Sequence, residues 1–222
     1  MRAFCFDLFD TLADAHRQLV RTESDALGVT REEWDAAMWE EKLCYDRGIG
    51  NIASIREMID RACDALPVPV TEEQRIAAMN ARYERFRLCM TEIDPQIVST
   101  IRQLKERGYK IGLISNADIC DEACWPQSPL YPYFDDTIFS CDVHLLKPDA
   151  AIYRLSLEHL GVAPEDAVFV GDGGSDELAG AKAVGLRTVC TEYLKTHSEE
   201  RRRRIHEYAD RVITRFEELL EL

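Results

Sequence analysis

A short apolar segment near the start of this chain ends in a carboxylate, and a polar turn follows it. The segment runs from Phe4 to Leu12, and Asp7 is the residue at which its first apolar run ends. In an open α/β sheet, ligands bind outside the carboxyl ends of the parallel strands. We therefore expect Asp7 to lie at a strand end and to point into a cleft.

Three later segments also have the pattern of a buried strand that ends in polar residues. They are 111–116, the approach to Lys147, and 168–176. Because the carboxyl ends of parallel strands meet at one edge of a sheet, the polar groups of these segments can converge on Asp7.

The chain from residue 93 onward alternates between strand and helix patterns. Strands are predicted at 3–7, 110–115, 136–140, 167–171, 187–190 and 211–214. Strands that alternate with helices of this length imply right-handed crossovers and a parallel sheet. The predicted fold class is α/β, with a doubly wound, Rossmann-like core.

Residues 14–92 have helical periodicity and no convincing strand. Thr30 with Glu33, and Thr71 with Gln74, have the spacing of capping boxes at helix starts. We predict a four-helix cap domain over 14–92, inserted after the first strand into a catalytic core formed by 1–13 and 93–222. Hinges are expected near 13–14 and 92–95.

Composition excludes several functional classes. The net charge of −14 argues against a nucleic-acid partner, since such binding depends on basic residues that neutralise phosphates. The apolar runs are too short to cross a bilayer, and no secretory signal opens the chain. We expect a cytoplasmic protein without a membrane partner, whose eight cysteines are reduced thiols.

Two carboxylates lie four residues apart in a glycine-rich turn. Asp172 and Asp176 belong to the sequence Gly-Asp-Gly-Gly-Ser-Asp, which follows an apolar strand and precedes a helix. Carboxylate oxygens with close backbone approach suit a hard cation such as Mg²⁺. The alternative is a helix cap, with the second carboxylate stabilised by the helix dipole. A cap does not need this run of glycines, so the metal interpretation is preferred.

Polar groups of the other two segments fit an anion. Ser115 and Asn116 end an apolar strand, where a hydroxyl and backbone N–H groups can hold an anion, although either residue could instead cap a helix. Lys147 precedes Pro148, which fixes the backbone, so its ammonium could offset the charge of a phosphoryl group. The alternative is an ordinary surface lysine.

Taken together and in order, these segments resemble the four motifs of the haloacid dehalogenase superfamily. They are Phe-Asp-Leu-Phe-Asp-Thr-Leu, Leu-Ile-Ser-Asn, Leu-Lys-Pro-Asp-Ala-Ala-Ile-Tyr, and Val-Gly-Asp-Gly-Gly-Ser-Asp-Glu-Leu. The resemblance covers essentially the whole chain, and the helical insert resembles the type-1 cap of that superfamily. Relatives with this cap occur as monomers and homodimers.

The resemblance implies an enzyme that hydrolyses a small phosphorylated metabolite. Asp7 would be the nucleophile and would form an aspartyl-phosphate. A Mg²⁺ ion would shield Asp7 from the negative charge of the substrate. The implied metal ligands are Asp7, the backbone carbonyl of Phe9, Asp172 and, directly or in support, Asp176. The implied contacts to the transferring oxygens come from Ser115, Asn116 and Lys147.

One position departs from the family pattern. Phosphatases of the family usually have a second aspartate two residues after the nucleophile, as general acid and base, whereas this chain has Phe9 there and Asp10 one residue later. Positioned acid–base catalysis contributes about 10²–10⁴ in rate. Three hypotheses stay open: a Mg²⁺-dependent phosphatase, a metal-independent 2-haloacid dehalogenase whose halide needs no proton, and a weakly active binder of a phosphorylated ligand or partner. The metal motif favours the first.

The cap is expected to set substrate specificity. Candidate contacts are Arg47, in a turn expected at 45–48, and His16 near the cap entry. Either could instead be a solvated helix residue. If another residue replaces the missing acid, His16 and Asp10 are the candidates.

Overall fold

A parallel sheet of six strands forms the centre of the molecule. The computed structural model describes residues 2–15 and 21–222, and its strand order is β3-β2-β1-β4-β5-β6. All neighbouring strands pair in parallel, as predicted. The strands are β1 (Ala3–Phe6), β2 (Lys110–Ser115), β3 (Asp136–Phe139), β4 (Ala167–Gly171), β5 (Arg187–Thr191) and β6 (Arg211–Ile213).

Five helices lie between β1 and residue 92 in the described part of the chain. They are α1 (Glu23–Leu27), α2 (Arg31–Met38), α3 (Glu41–Gly48), α4 (Ile55–Asp64) and α5 (Glu72–Thr91). The predicted capping boxes at Thr30 and Thr71 are confirmed. The prediction of four helices missed α3, which begins because the Glu40 side chain accepts a hydrogen bond from the Leu43 amide. The turn expected at 45–48 is therefore the end of a helix.

Six helices accompany the remaining strands and cover both faces of the sheet. They are α6 (Pro95–Glu106), α7 (Ile119–Cys124), α8 (Ser140–Val143), α9 (Ala150–Leu160), α10 (Glu177–Val184) and α11 (Glu199–His206). The final helix predicted from the sequence is a 3₁₀ helix, Phe216–Glu221. Strands β1 and β4 are buried at every residue, as expected for a parallel sheet that is covered on both faces.

The helical segment from α1 to α5 lies over the carboxyl ends of the strands. Helix α5 packs on α7, and α3 packs on α8, and these two helices follow the carboxyl ends of β2 and β3. The Nδ1 atom of His144 lies 2.6 Å from the carbonyl oxygen of Ile49. A side chain at Gly50 would collide with the carbonyl of Cys141, so only glycine permits this close approach. The division into a core and a cap domain stays a prediction.

Two further sequence expectations can be compared with the structure. All eight cysteines are free thiols, and seven of them are buried. Among the described residues, none of the helices combines the length and the apolar character needed to span a bilayer.

Gly180 is the residue that allows α10 to pack against the start of α9. A Cβ atom at this position would lie 2.6 Å from the carbonyl oxygen of Pro148 and 2.9 Å from the Tyr153 hydroxyl. Replacing glycine by alanine inside a helix normally stabilises it by about 0.5–1 kcal/mol. Here the collision with a backbone atom reverses the sign.

We expect Gly180→Ala to lower the free energy of unfolding by about 1–3 kcal/mol because of this overpacking. The control is Ala183→Gly, at an exposed position of the same helix, which should cost about 1 kcal/mol through helix propensity alone. Urea denaturation of both variants measures the effect. A stabilised Gly180→Ala variant would contradict this account of the packing.

Candidate active site

Asp7 lies just beyond the carboxyl end of β1, with both carboxylate oxygens engaged. Its amide donates to the carbonyl of Val170 on β4, which fixes the backbone. The ammonium of Lys147 lies 2.5 Å from Oδ1, and the hydroxyl of Thr11 donates to Oδ2 at 3.1 Å. The carboxylate is therefore oriented from two sides. Thr11 belongs to the first motif, but sequence reasoning gave it no role.

Lys147 bridges Asp7 to a second buried carboxylate, Glu177. The Lys147 ammonium lies 2.6 Å from Glu177 Oε2, and both side chains are 2% exposed. Gly173 donates its amide to Glu177 Oε1 at 3.1 Å. A Cβ atom at Gly171 would collide with the Glu177 carboxylate, so this glycine makes room for it.

The structure adds a carboxylate that the prediction for the glycine-rich turn did not name. The buried carboxylate beside Asp7 and Asp172 is that of Glu177, and Asp176 is exposed. The reason is the backbone: Ser175 and Asp176 have positive φ angles of 51° and 50°, and α10 begins only at Glu177. The sequence spacing of four residues did not identify Glu177, and the supporting metal role of Asp176 stays a prediction.

Asp172 completes a group of three buried carboxylates. One oxygen each of Asp7, Asp172 and Glu177 lies within 4.8 Å of the others. Asp172 Oδ1 accepts the Gly174 amide at 2.8 Å, and Oδ2 lies 3.1 Å from His197 Nε2. His197 comes from the segment after β5, where the sequence showed no recognisable motif, so it was missed.

Burial, with a smaller contribution from neighbouring carboxylates, raises the pKa values of Asp7 and Glu177. Burial raises the pKa of Asp7, and the neighbouring Asp172 adds to the effect while Lys147 opposes it. Burial together with Asp7 raises the pKa of Glu177 to about 8. Burial would lower the pKa of Lys147, but Asp7 and Glu177 outweigh it and raise the value. The lysine is therefore a permanent cation.

Ser115 and Asn116 take different roles at the end of β2. The Ser115 hydroxyl is buried and has no hydrogen-bond partner among the described residues, so it is available to an oxygen of a ligand. The Asn116 amide donates to the carbonyl of Lys147 at 2.9 Å and accepts the Lys147 amide at 2.7 Å. The side chain of Asn116 thus positions Lys147, and the phosphate contact predicted for Asn116 stays a prediction.

Phe9 and Asp10 show what occupies the place of the usual acid. The Phe9 ring packs edge-on against Phe86 of α5, with 5.6 Å between the ring centroids. Asp10 has a φ angle of 60°, and its carboxylate is paired with the ammonium of Lys195. Phe9 carries no acid, and the carboxylate of Asp10 is engaged by a cation.

Arg47 lies in a buried charge cluster between the helical segment and the core. Its guanidinium donates to Asp118 Oδ2 at 2.8 Å and to the carbonyl of Met38 at 3.0 Å. Arg82 donates to the same Asp118 oxygen at 2.6 Å. The predicted cleft-facing Arg47 is therefore buried and paired with Asp118. His16 lies outside the described residues.

The donor set of the carboxylate group fits a divalent cation. The carboxyl groups in this region outnumber the lysine ammonium groups that contact them: the carboxyl groups are those of Asp7, Asp10, Asp172 and Glu177, and the lysines are Lys147 and Lys195. The oxygen-only chemistry of the donors matches Mg²⁺. Asp7, Asp172 and Glu177 are the residues that would hold it.

The site combines three features on a Rossmann-like sheet: a buried aspartate after β1, a lysine paired with it, and an acidic turn after β4. This combination defines a class of α/β hydrolases. The model of the haloacid dehalogenase-like hydrolase family matches residues 1–185. The chain belongs to this family, and it is a hydrolase. The resemblance stated from the motifs is thereby confirmed.

Curated relatives include both phosphatases and a dehalogenase. Protein CbbY of Cereibacter sphaeroides is 31% identical, with 99% of this chain and 94% of that protein covered. The glyceraldehyde 3-phosphate phosphatase of Methanothermobacter thermautotrophicus is 26% identical, with coverages of 90% and 89%. The (S)-2-haloacid dehalogenase 4A of Burkholderia cepacia is 28% identical, with coverages of 85% and 82%.

Solved structures show the same fold. A dehalogenase crystal structure superposes with a TM-score of 0.71 at 23% identity, with 100% of this chain and 96% of that chain covered. The crystal structure of CbbY from Rhodobacter sphaeroides in complex with phosphate gives a TM-score of 0.63 at 27% identity, with coverages of 98% and 96%. The predicted fold class is confirmed.

The charge cluster around Asp118 generates a pH-dependent prediction. Burial and the adjacent Asp118 raise the pKa of Asp121 to about 8, against the opposing effect of Arg82 and Arg47. A carboxyl group whose pKa is raised in the folded state stabilises the fold fully below its unfolded pKa and loses this contribution as the pH rises through the folded value.

Between about pH 5 and pH 9, we expect the melting temperature of the wild type to fall by on the order of 5 °C more than that of Asp121→Asn. Thermal unfolding at several pH values measures this difference. Asp35→Asn, at an exposed carboxylate paired with Arg31, is the control and should not change the pH dependence. Parallel curves for the wild type and Asp121→Asn would contradict the assignment.

Proposed function

We propose that this protein is a Mg²⁺-dependent phosphatase that acts on a small phosphorylated metabolite through an aspartyl-phosphate at Asp7. The observation that carries the proposal is the buried group formed by Asp7, Asp172 and Glu177, with Lys147 between two of its members. A cluster of carboxylates that shares too few cations is the environment in which a divalent ion binds favourably. The phosphatases among the relatives support it.

Each residue of the site has a stated task in this proposal. Thr11 and Lys147 orient the Asp7 carboxylate so that one oxygen can attack phosphorus. Asp7 forms a bond to phosphorus, the bond to the leaving oxygen breaks, and water later cleaves the acyl phosphate. The Ser115 hydroxyl and the Lys147 ammonium stabilise the phosphoryl oxygens. A Mg²⁺ ion held by Asp7, Asp172 and Glu177 would supply further positive charge against the phosphoryl group.

The protonation of the leaving group is the weak point of this site. Phe9 cannot supply a proton, and the Asp10 carboxylate is paired with Lys195. We therefore propose that the preferred substrate has a good leaving group, such as an acyl phosphate, a pyrophosphate or an aryl phosphate. Such groups depart without a proton from the enzyme.

A second candidate function is 2-haloacid dehalogenation. Phe9 favours it, because a halide needs no acid, and one relative is a dehalogenase. Asp172 and Glu177 argue against it. These two carboxylates are buried beside the nucleophile, and a metal-independent reaction would not need them. A chelator distinguishes the two functions, because it should abolish a Mg²⁺-dependent phosphatase activity and leave a dehalogenase activity unchanged.

The first test compares two neighbouring carboxylates. We expect Glu177→Gln to weaken Mg²⁺ activation about 10–100-fold, because it replaces a buried carboxylate by a neutral amide. The matched control Asp176→Asn, one residue away and exposed, should behave like the wild type. Phosphate release from p-nitrophenyl phosphate against Mg²⁺ concentration measures both, with Asp7→Asn as the inactive reference.

Two outcomes would contradict the phosphatase proposal. One is full phosphate release in the presence of EDTA, or from Asp7→Asn. The other is metal-independent halide release from 2-chloropropionate with no phosphate release from any substrate, which would establish the second candidate.

The second test concerns the missing acid. We expect Phe9→Asp to hydrolyse alkyl phosphates up to about 10²-fold faster than Phe9→Asn, because only the aspartate can donate a proton. On p-nitrophenyl phosphate, whose leaving group needs no proton, the two variants should be equal. Both lose the packing on Phe86, so their comparison isolates the carboxyl group. Equal rates on alkyl phosphates would show that a proton is not limiting.

A further inference from the structure

The segment after β5 brings two nitrogen-bearing side chains to the carboxylate group. Lys195 and His197 belong to residues 192–198, which lie between β5 and α11. The ammonium of Lys195 pairs with Asp10 Oδ2 and lies 3.6 Å from Asp172 Oδ2. One ammonium therefore connects the loop after the nucleophile to the carboxylate after β4.

Lys195 is not needed to hold Asp172 in place. The Asp172 carboxylate is fixed by the Gly174 amide at 2.8 Å and by His197 Nε2 at 3.1 Å, and His197 also lies 3.2 Å from the Asp172 carbonyl. The Lys195 contact is longer than a hydrogen bond. Its effect on Asp172 is therefore one of charge more than of position.

The close partner of Lys195 is Asp10, and the backbone explains how they meet. Asp10 has a left-handed backbone, which is uncommon for residues other than glycine, with Asp and Asn among the exceptions. This conformation turns the Asp10 carboxylate toward Lys195, and the carboxylate is almost fully buried. The Lys195 side chain is 30% exposed, so its charge lies at the edge of the site.

An ammonium beside a carboxylate that would hold Mg²⁺ repels the ion, since like charges separated by a few ångströms interact strongly in a partly buried site. We propose that Lys195 is an internal counter-cation, which neutralises Asp172 in the absence of metal and weakens the binding of a divalent cation. Asp10 restrains this ammonium and limits the competition. The inference rests on the proposed function, because it takes Asp172 to be a metal ligand.

The proposal makes opposite predictions for the two members of one ion pair. Lys195→Met removes the competing charge, so Mg²⁺ should bind about tenfold more tightly. Asp10→Asn releases the ammonium toward Asp172 and removes a negative charge, so Mg²⁺ should bind about tenfold more weakly. Lys195→Arg keeps the charge and should stay within about twofold of the wild type.

The measurement is calorimetric titration of Mg²⁺ into the substrate-free protein at low ionic strength, so that turnover plays no part. Lys182→Met is the matched control. The Lys182 ammonium lies 2.7 Å from Asp210 Oδ1, and this ion pair is away from the site. It removes the same charge and should leave the Mg²⁺ affinity unchanged. Circular dichroism checks that each variant is folded, and Lys195→Gln serves as a second neutral variant.

The outcomes separate this proposal from the proposed function. If the wild type binds Mg²⁺ and neither Lys195→Met nor Lys195→Gln binds it more tightly, the counter-cation role is wrong and the phosphatase proposal stands. Equal tightening in Lys182→Met would also overturn it, because the effect would then be one of net charge. Both proposals fail together if the wild type does not bind Mg²⁺. They also fail together if Glu177→Gln binds Mg²⁺ as tightly as the wild type does.

Discussion

The structure around the site depends on how three buried carboxylates are kept together. Lys147 lies between Asp7 and Glu177, and it is itself inaccessible to water, so its charge acts through a medium that screens weakly. Much of the surrounding chain maintains this contact. Asn116 holds the lysine backbone, and the lack of a side chain at Gly171 leaves space for the glutamate. Without the lysine, the repulsion among the acids would oppose folding of the site.

The sheet and the general position of the site could be predicted from the sequence. A buried strand leaves a strong apolar pattern, and its polar ending marks the edge at which ligands bind, so Asp7, Lys147 and Asp172 were placed correctly at one edge. Residue spacing alone could not distinguish Asp176 from Glu177. That choice depends on two successive left-handed residues, Ser175 and Asp176, and neither is a glycine, the residue type that most often indicates this conformation.

Other parts of the site leave no local signal. The sequence around Lys195 and His197 resembles an ordinary loop, and their role follows only from the way β5 lies beside β4. The burial of Arg47 has the same origin. A basic residue near a helix end is usually solvated, but here α3 packs against α8, and the buried Asp118 and Met38 carbonyl supply its partners. Long-range packing of this kind is not encoded in any short window of residues.

The family model ends at residue 185, and the segment with Lys195 and His197 begins after it. The sequence motifs thus lie inside the matched region, and the two side chains that contact Asp172 lie outside it. A duplicated gene could exchange this late segment and keep every motif intact. Enzymes that share one reaction could in this way diverge in the metal concentration at which they become active, and so respond to different cellular ion levels.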